Sequence, residues 1–316
     1  MDIGEFDLIR RIRARAPRGD GVVVGIGDDA AVLQPGPGMQ LVTSTDQLVE
    51  GRHFDASVRV EDLGHLALAV NLSDLAAMGA RPRWSLLALT LPAADPVWLD
   101  QFLDGYLALG EATGCALVGG NLSRGPLNIA VTVIGEVEAG RFRLRRGARP
   151  GDRLLVTGTL GEAGYAWRRG VEPEHLLAAR RDRPEPRIDA GRALRVGAHA
   201  MIDISDGLLA DLAHLLEDGI GARIDCARLP CSGPLARLVP DDHERWMLQL
   251  NGGGDYELLL AWPPDVPVPQ VGALPVTQIG EVRAEPGILC VDGHGAPVNV
   301  AAGGWDHFAP PGETER

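Results

Sequence analysis

The chain contains no lysine. All 30 of its cationic side chains are arginine, which excludes the phosphate-binding lysine of a P-loop, the strand lysine of a protein kinase and any lysine Schiff base. Cysteine is scarce too. Cys115, Cys226, Cys231 and Cys290 stand apart with no C-x-x-C pair, which argues against a zinc site and for reduced thiols, mostly in a core. No apolar run approaches the roughly 18 residues of a membrane span, so no membrane partner is expected. The opening MDIGEFDLIRR is acidic and lacks the apolar centre of a secretory signal, which leads to the expectation of a cytoplasmic protein. The formal net charge of -13 would repel nucleic acid unless a metal or a local patch reversed the field.

What is present is enough for one large domain or two ordinary ones: 316 residues, 45% of them hydrophobic. The first half alternates extended and helical signals. Val22–Val24 reads as a buried strand, with Leu41–Ser44, Ser85–Leu91, Ala116–Val118 and Ile129–Val137 also extended. Leu63, Leu66, Ala67 and Val70 fall at helical spacing in a helix over Glu61–Met78, as do Leu99, Phe102, Leu103 and Tyr106 in one over Val97–Thr113. Both helices are expected on one face of a sheet. The basic stretch RFRLRRGARPGD reads as a linker over 141–152, between an N-terminal domain (1–140) and a C-terminal one (153–308), with a frayed tail at 309–316.

Beyond the linker the pattern restarts: a strand at Arg153–Thr157, the turn GTLGEAG, then a helix from Glu162. RRDRPEPR (180–187) reads as a solvated loop. Leu208, Leu209, Leu212, Leu215 and Leu216 mark an amphipathic helix stopping at Gly219. Strands are expected at Ala222–Asp225, Tyr256–Ala261 and Val276–Val282. The fold class is therefore α/β in two domains.

Five segments share one grammar, small or apolar residues leading to an aspartate: GIGDDAAVL (25–33), STDQL (44–48), NLSDLAAMG (71–79), DISDGLL (203–209) and NGGGDYEL (251–258). Each has a plain structural reading. Adjacent Asp28 and Asp29 suit a turn, Asp46 a turn after a strand, and Asp206 the N-cap of the helix that follows. Asp74 fits less easily, because it falls near a helix C-terminus, where the macrodipole favours cations. Carboxylates with hydroxyls, and no histidine or cysteine nearby in sequence, form a hard-cation set suited to Mg²⁺, which shares its shell with water and phosphate oxygens. Several such ions would let an acidic, lysine-free protein hold a nucleoside triphosphate.

Taken in order, GIGDDAAVL, STDQLVEGRHF, NLSDLAAMGARP, VGGNLSRGP, GARPGDRLLVTGTLG, DISDGLLADL, GGGDYEL and GGWDHF resemble the thiamine-monophosphate kinase family, from Gly4 through Phe308. That family is grouped with aminoimidazole ribonucleotide synthetase, selenophosphate synthetase and a hydrogenase maturation protein. The resemblance implies an N-terminal mixed sheet, covered by helices, that joins its mate in a homodimer, and a C-terminal α/β domain. It implies transfer of the γ-phosphoryl of ATP to thiamine monophosphate, with several Mg²⁺ ions and no covalent enzyme intermediate. By the same resemblance Asp29, Ser44, Thr45, Asp46, Asp74 and Asp203 would bind metal, with Asp206 on a further ion. Asp46, Asp74 and Asp203 are the catalytic residues it implies. Gly120, Asn121, Arg145 and Ser205 match nucleotide contacts, and His53, Gly254 and Trp305 match substrate contacts. The indole of Trp305 would attract the thiazolium cation.

Two positions depart from the family pattern. Asn121 stands where the family usually has a metal-binding Asp, keeping a carbonyl oxygen but losing a charge. Gly254 stands where it usually has a substrate-contacting Glu, and offers only backbone. Two alternatives are a Mg-ATP or thiamine-phosphate binding homologue with little catalysis, and a related superfamily enzyme with another acceptor. The absent lysine and the absent N-terminal reactive cysteine disfavour selenophosphate synthesis.

Overall fold

The computed structural model describes residues 4–300. Trp305 and the tail at 309–316 lie outside the described residues. The chain divides into two compact units, one of residues up to Leu75 with Ala80–Gly140, the other of Ala76–Gly79 with residues from Arg141 onward.

The first unit carries α1 (Glu5–Arg15), a small pair β1 (Val22–Val24) and β2 (Val32–Leu33), then β3 (Met39–Val49), α2 (Val60–Ala77), β4 (Arg81–Leu91), α3 (Pro96–Thr113), β5 (Ala116–Arg124) and β6 (Asn128–Glu138). Its main sheet is mixed, in the order β3-β6-β4-β5, with only β4 and β5 parallel. The start of α3 follows from sequence: Asp95 caps it by accepting from the Val97 and Trp98 N–H groups at 2.9 and 3.1 Å, and Pro96 occupies the first turn. Gly114, at φ +73°, closes it. Leu99, Phe102, Leu103 and Tyr106 are all buried, each contributing about 2 kcal/mol from apolar area. α2 meets α3 where both lack side chains, for a Cβ on Gly64 would strike the Phe102 carbonyl and one on Gly105 the Glu61 carbonyl. Leu68, Ala69 and Leu72 of α2 are buried along with the expected apolar stripe, so this helix is buried on more than one face, with Glu61 exposed in its first turn.

The second unit holds β7 (Arg153–Thr157), α4 (Glu162–Arg169), α5 (Ala178–Asp182), α6 (Ile188–Leu194), β8 (Ala200–Asp203), α7 (Leu208–Leu215), β9 (Gly221–Asp225), α8 (Gly233–Leu238), α9 (Asp242–Asn251), β10 (Leu258–Trp262), β11 (Val276–Arg283) and β12 (Gly287–Val291). Its sheet runs β12-β9-β11-β7-β10-β8, antiparallel except for β12 with β9. Leu154, Val156, Leu259 and Ala261 from its central strands lie in one core with Leu208, Leu212 and Leu215 of α7.

Several local expectations fail for physical reasons. Val22–Val24 is a strand but not a buried one: it belongs to a two-stranded ribbon, and Val23 is 66% exposed. Asp46 lies inside β3 and is no turn residue, because β3 pairs with β6 from Met39 through Val49. Gly120 and Asn121 continue β5 beside Leu87 and Ala88 of β4, so the GGN stretch is extended. Tyr256 has φ +51°, which delays β10 to Leu258. Asp206 does not cap α7; Gly207 holds that position at φ +119°. The 180–187 segment is no solvated loop, since Arg181 and Asp182 are both buried.

Candidate active site

Strand alternation sorts the STD stretch of β3. Ser44 and Asp46 share a face with buried Leu48, whereas Thr45 points to the other face, where its hydroxyl meets that of Thr132 at 2.8 Å. On the first face Ser44 Oγ donates to Asp74 Oδ2 of α2 at 2.5 Å. One helical turn earlier, Asn71 Oδ1 accepts the Asp46 backbone N–H at 2.8 Å, and its Nδ2 donates to the Ala67 carbonyl at 3.0 Å. β3 is an edge strand, so this N–H has no ladder partner, and the Asn71 amide supplies one. Burial pushes the Asp74 carboxyl above its ordinary range, and the Ser44 hydroxyl only partly offsets this. Among the described residues no ion pair reaches Asp74, so the positive neighbour expected beside it is here a hydroxyl donor.

On the other face of the sheet lies a cavity of about 1070 Å³. Its rim includes Arg13 of α1, Asp28 and Asp29 of the GIGDD turn, and Gly120 and Asn121 of β5; Val118 and Ile134 line its wall. The turn is tightened by Asp28 Oδ1, which accepts the Asp29 N–H at 2.9 Å. Gly120 admits no side chain, since a Cβ there would overlap the Leu87 carbonyl. Asn121 is exposed.

In the second unit Asp203 ends β8, buried and paired with Leu258. The loop after it is held from two sides. The Ser205 carbonyl accepts the Gly254 N–H and the Ile204 carbonyl the Tyr256 N–H, both at 2.8 Å. Asp211 Oδ2 accepts the Ser205 and Asp206 N–H groups at 3.0 and 3.1 Å. Burial, with the neighbouring Asp206 charge, pushes the Asp211 carboxyl up to about 7. Gly254 sits at φ +82°, and a Cβ there would lie 3.5 Å from Ala163 and 3.7 Å from Trp167 Nε1.

Behind this loop, Glu257 is wholly buried. Arg187 grips both its oxygens at 2.7 and 2.6 Å, Arg180 donates at 2.9 Å, and the Thr157 hydroxyl at 2.7 Å. Burial pushes this carboxyl up, but the two guanidiniums and the hydroxyl outweigh it and hold it below the ordinary range. Asp255 is also buried. Both its oxygens accept the Gly161 N–H, at 3.1 and 3.0 Å, and burial raises its carboxyl to about 8.

The chain matches two family models, the AIR synthase related protein N-terminal domain over residues 27–137 and the corresponding C-terminal domain over 149–290. The thiamine-monophosphate kinase of Salmonella typhimurium is 46% identical over 98% of this chain and 100% of its own length. The crystal structure of the Stenotrophomonas maltophilia thiamine-monophosphate kinase superposes with a TM-score of 0.82 at 42% identity, covering 94% of this chain and 99% of that one. The chain belongs to the thiamine-monophosphate kinase family. A solved AaThiL complexed with AMPPCP and TMP is also similar, at 35% identity and TM-score 0.76, over 96% of this chain and 97% of that one.

Of the residues expected from the thiamine-monophosphate kinase pattern, the first unit brings Ser44, Asp46 and Asp74 together, and separately places Asp29, Gly120 and Asn121 on one cavity. Thr45 presents its hydroxyl away from Ser44. His53 is half-buried, with Nδ1 accepting the Val49 N–H at 3.0 Å. In the second unit Asp203, Ser205, Asp206 and Gly254 share one loop pair. Arg143 is occupied, its Nε donating to the Arg195 carbonyl at 2.6 Å, while Arg145 is exposed. Among the described residues, no three His, Cys, Asp or Glu side chains converge as a preformed metal cage. No described helix is long and apolar enough to cross a membrane. Sequence reasoning missed Asn71, Asp211, Arg180, Arg187 and Glu257. Only Asn71 carried a signal, as a polar residue one turn before Asp74.

Proposed function

We propose that this chain transfers the γ-phosphoryl group of ATP to the phosphate of thiamine monophosphate. An acceptor phosphate oxygen forms the new bond to the γ-phosphorus, the bond to the β–γ bridging oxygen breaks, and ADP leaves with that electron pair. The observation that carries the proposal is the Ser44–Asp74 contact beside Asp46, in a chain resembling these kinases along almost its whole length.

The donor set fits Mg²⁺. It consists of hard oxygens, it is no closed cage, and Asp74 is a carboxyl raised by burial that a cation would restore to the ionised form. Asp46 and Asp74, with Ser44, would hold metal on one face of the first unit's sheet, Asp29 at the cavity on the other face, and Asp203 and Asp206 in the second unit. Bound there, Mg²⁺ supplies charge neutralisation on the phosphate oxygens. The remaining work belongs to the chain: Asn71 fixes the backbone of Asp46, Asp211 fixes that of Ser205 and Asp206, and Arg145 offers an exposed guanidinium for phosphate. His53 and Trp305 are the proposed substrate contacts, with the Gly254 backbone.

We also propose a homodimer in the cytoplasm. The sheet face turned away from α2 leaves Leu41 53% exposed beside Thr43 and Thr45, and a second copy seated there would cover it.

The test combines purified protein, ATP, MgCl₂ and thiamine monophosphate, followed by phosphorus NMR. The expected result is thiamine diphosphate and ADP in equal amounts. ATP hydrolysis without thiamine diphosphate, or no consumption of ATP, overturns the proposal. Sedimentation at micromolar concentration tests the dimer.

A further inference from the structure

We infer that Arg13 is a phosphate-binding residue for the nucleotide, a role that rests on the kinase reading above. Its guanidinium approaches the GIGDD turn at Gly27: the point a Cβ there would occupy is 2.8 Å from Arg13 Cζ and 3.3 Å from Nε, with Nη1 nearer still. Gly27 stands at φ +112°, and a Cβ there would require the exposed Arg13 guanidinium to move aside. Arg13 also lines the 1070 Å³ cavity together with Asp29, Gly120 and Asn121.

Its neighbours on α1 are all engaged. Arg10 pairs with Asp7, Arg11 with Asp100 at 2.6 Å, and Arg15 with Asp100 at 3.3 Å and with Asp104. Arg13 makes no hydrogen bond or ion pair among the described residues, although two aspartates stand in the turn beneath it. A guanidinium held against a turn but left with its donors open, at the mouth of an apolar-walled cavity, matches a ligand with a flat body and an anionic end. Its planar fork suits phosphate oxygens.

Charge gives the reason for its presence. Asn121 lines this cavity where a carboxylate would draw in a further metal charge, so the phosphates here have less metal-borne positive charge to meet. The chain has no lysine to supply it and a net charge of -13. Arg13 supplies it from α1.

The experiment is a charge series at one position in the full chain: Arg13→Lys, Arg13→Gln and Arg13→Glu. Calorimetric titration with ATP in MgCl₂ is set against titration with adenosine, beside the KM for ATP and for thiamine monophosphate. The expected ATP affinity falls in the order Arg, Lys, Gln, Glu, with Gln about 10-fold weaker than Arg. Adenosine binding and the KM for thiamine monophosphate stay within about twofold. Flat ATP affinity across the series overturns the inference. So does equal weakening of ATP and adenosine, which would make Arg13 a prop for the turn. Failure of the unaltered chain to form thiamine diphosphate is a separate result, and it removes the kinase reading itself.

Discussion

At the scale of the residue, Asp74 shows how burial and chemistry oppose one another. Its carboxyl is raised by burial and has a hydroxyl for a partner, so at neutral pH its ionised form costs the fold free energy unless a cation arrives. Asp74→Asn is therefore expected to cut phosphoryl transfer at least about 100-fold while leaving the melting temperature unchanged or higher. Turnover and thermal unfolding on the same preparation check this; retained turnover removes Asp74 from the metal set. The aspartates were legible in the sequence because Asp beside Ser or Thr after an apolar run is a recognisable local pattern. Arg13 was not, and Asn71 showed only as a polar residue one turn before Asp74, because what matters in each case is the partner: an unpaired edge N–H for Asn71, a glycine turn for Arg13.

At the scale of the element, the long helices and most strands could be read from periodicity, as with Leu99, Phe102 and Tyr106 of α3. The 180–187 segment could not. Its composition is that of a solvated loop, yet the conformation is set by Glu257, 70 residues away from Arg187 and buried just before β10. A charge pair is invisible to local patterning when its partner lies in a distant strand. Glu257→Gln leaves two guanidiniums facing a neutral amide in a closed site, and is expected to destabilise the second unit by about 3 kcal/mol. Urea denaturation followed by tryptophan fluorescence measures it. A loss under about 1 kcal/mol would mean the arginines find solvent instead.

For the molecule as a whole, the same region sets a pH dependence. Asp255 titrates near 8 when folded because of its burial, against about 3.9 in an unfolded chain. The folded state therefore binds more protons than the unfolded one between those values, and stability falls as pH rises from about 4 to about 8. Asp255→Asn keeps an oxygen for the Gly161 N–H and removes the proton, so the slope of unfolding free energy against pH over that window is expected to flatten. Denaturation series at pH 5, 6, 7 and 8 would show it, and an unaltered slope would place the titrating group elsewhere.

The clasp of Arg180 and Arg187 on Glu257 also governs how the chain meets a protease. RRDRPEPR offers trypsin three bonds, after Arg180, Arg181 and Arg187, since Pro184 blocks the one after Arg183, and all three arginines are paired in the folded unit. Cutting after Arg180 or Arg187 must await release of Glu257, so the first tryptic nick at either bond would time the opening of the second unit from within.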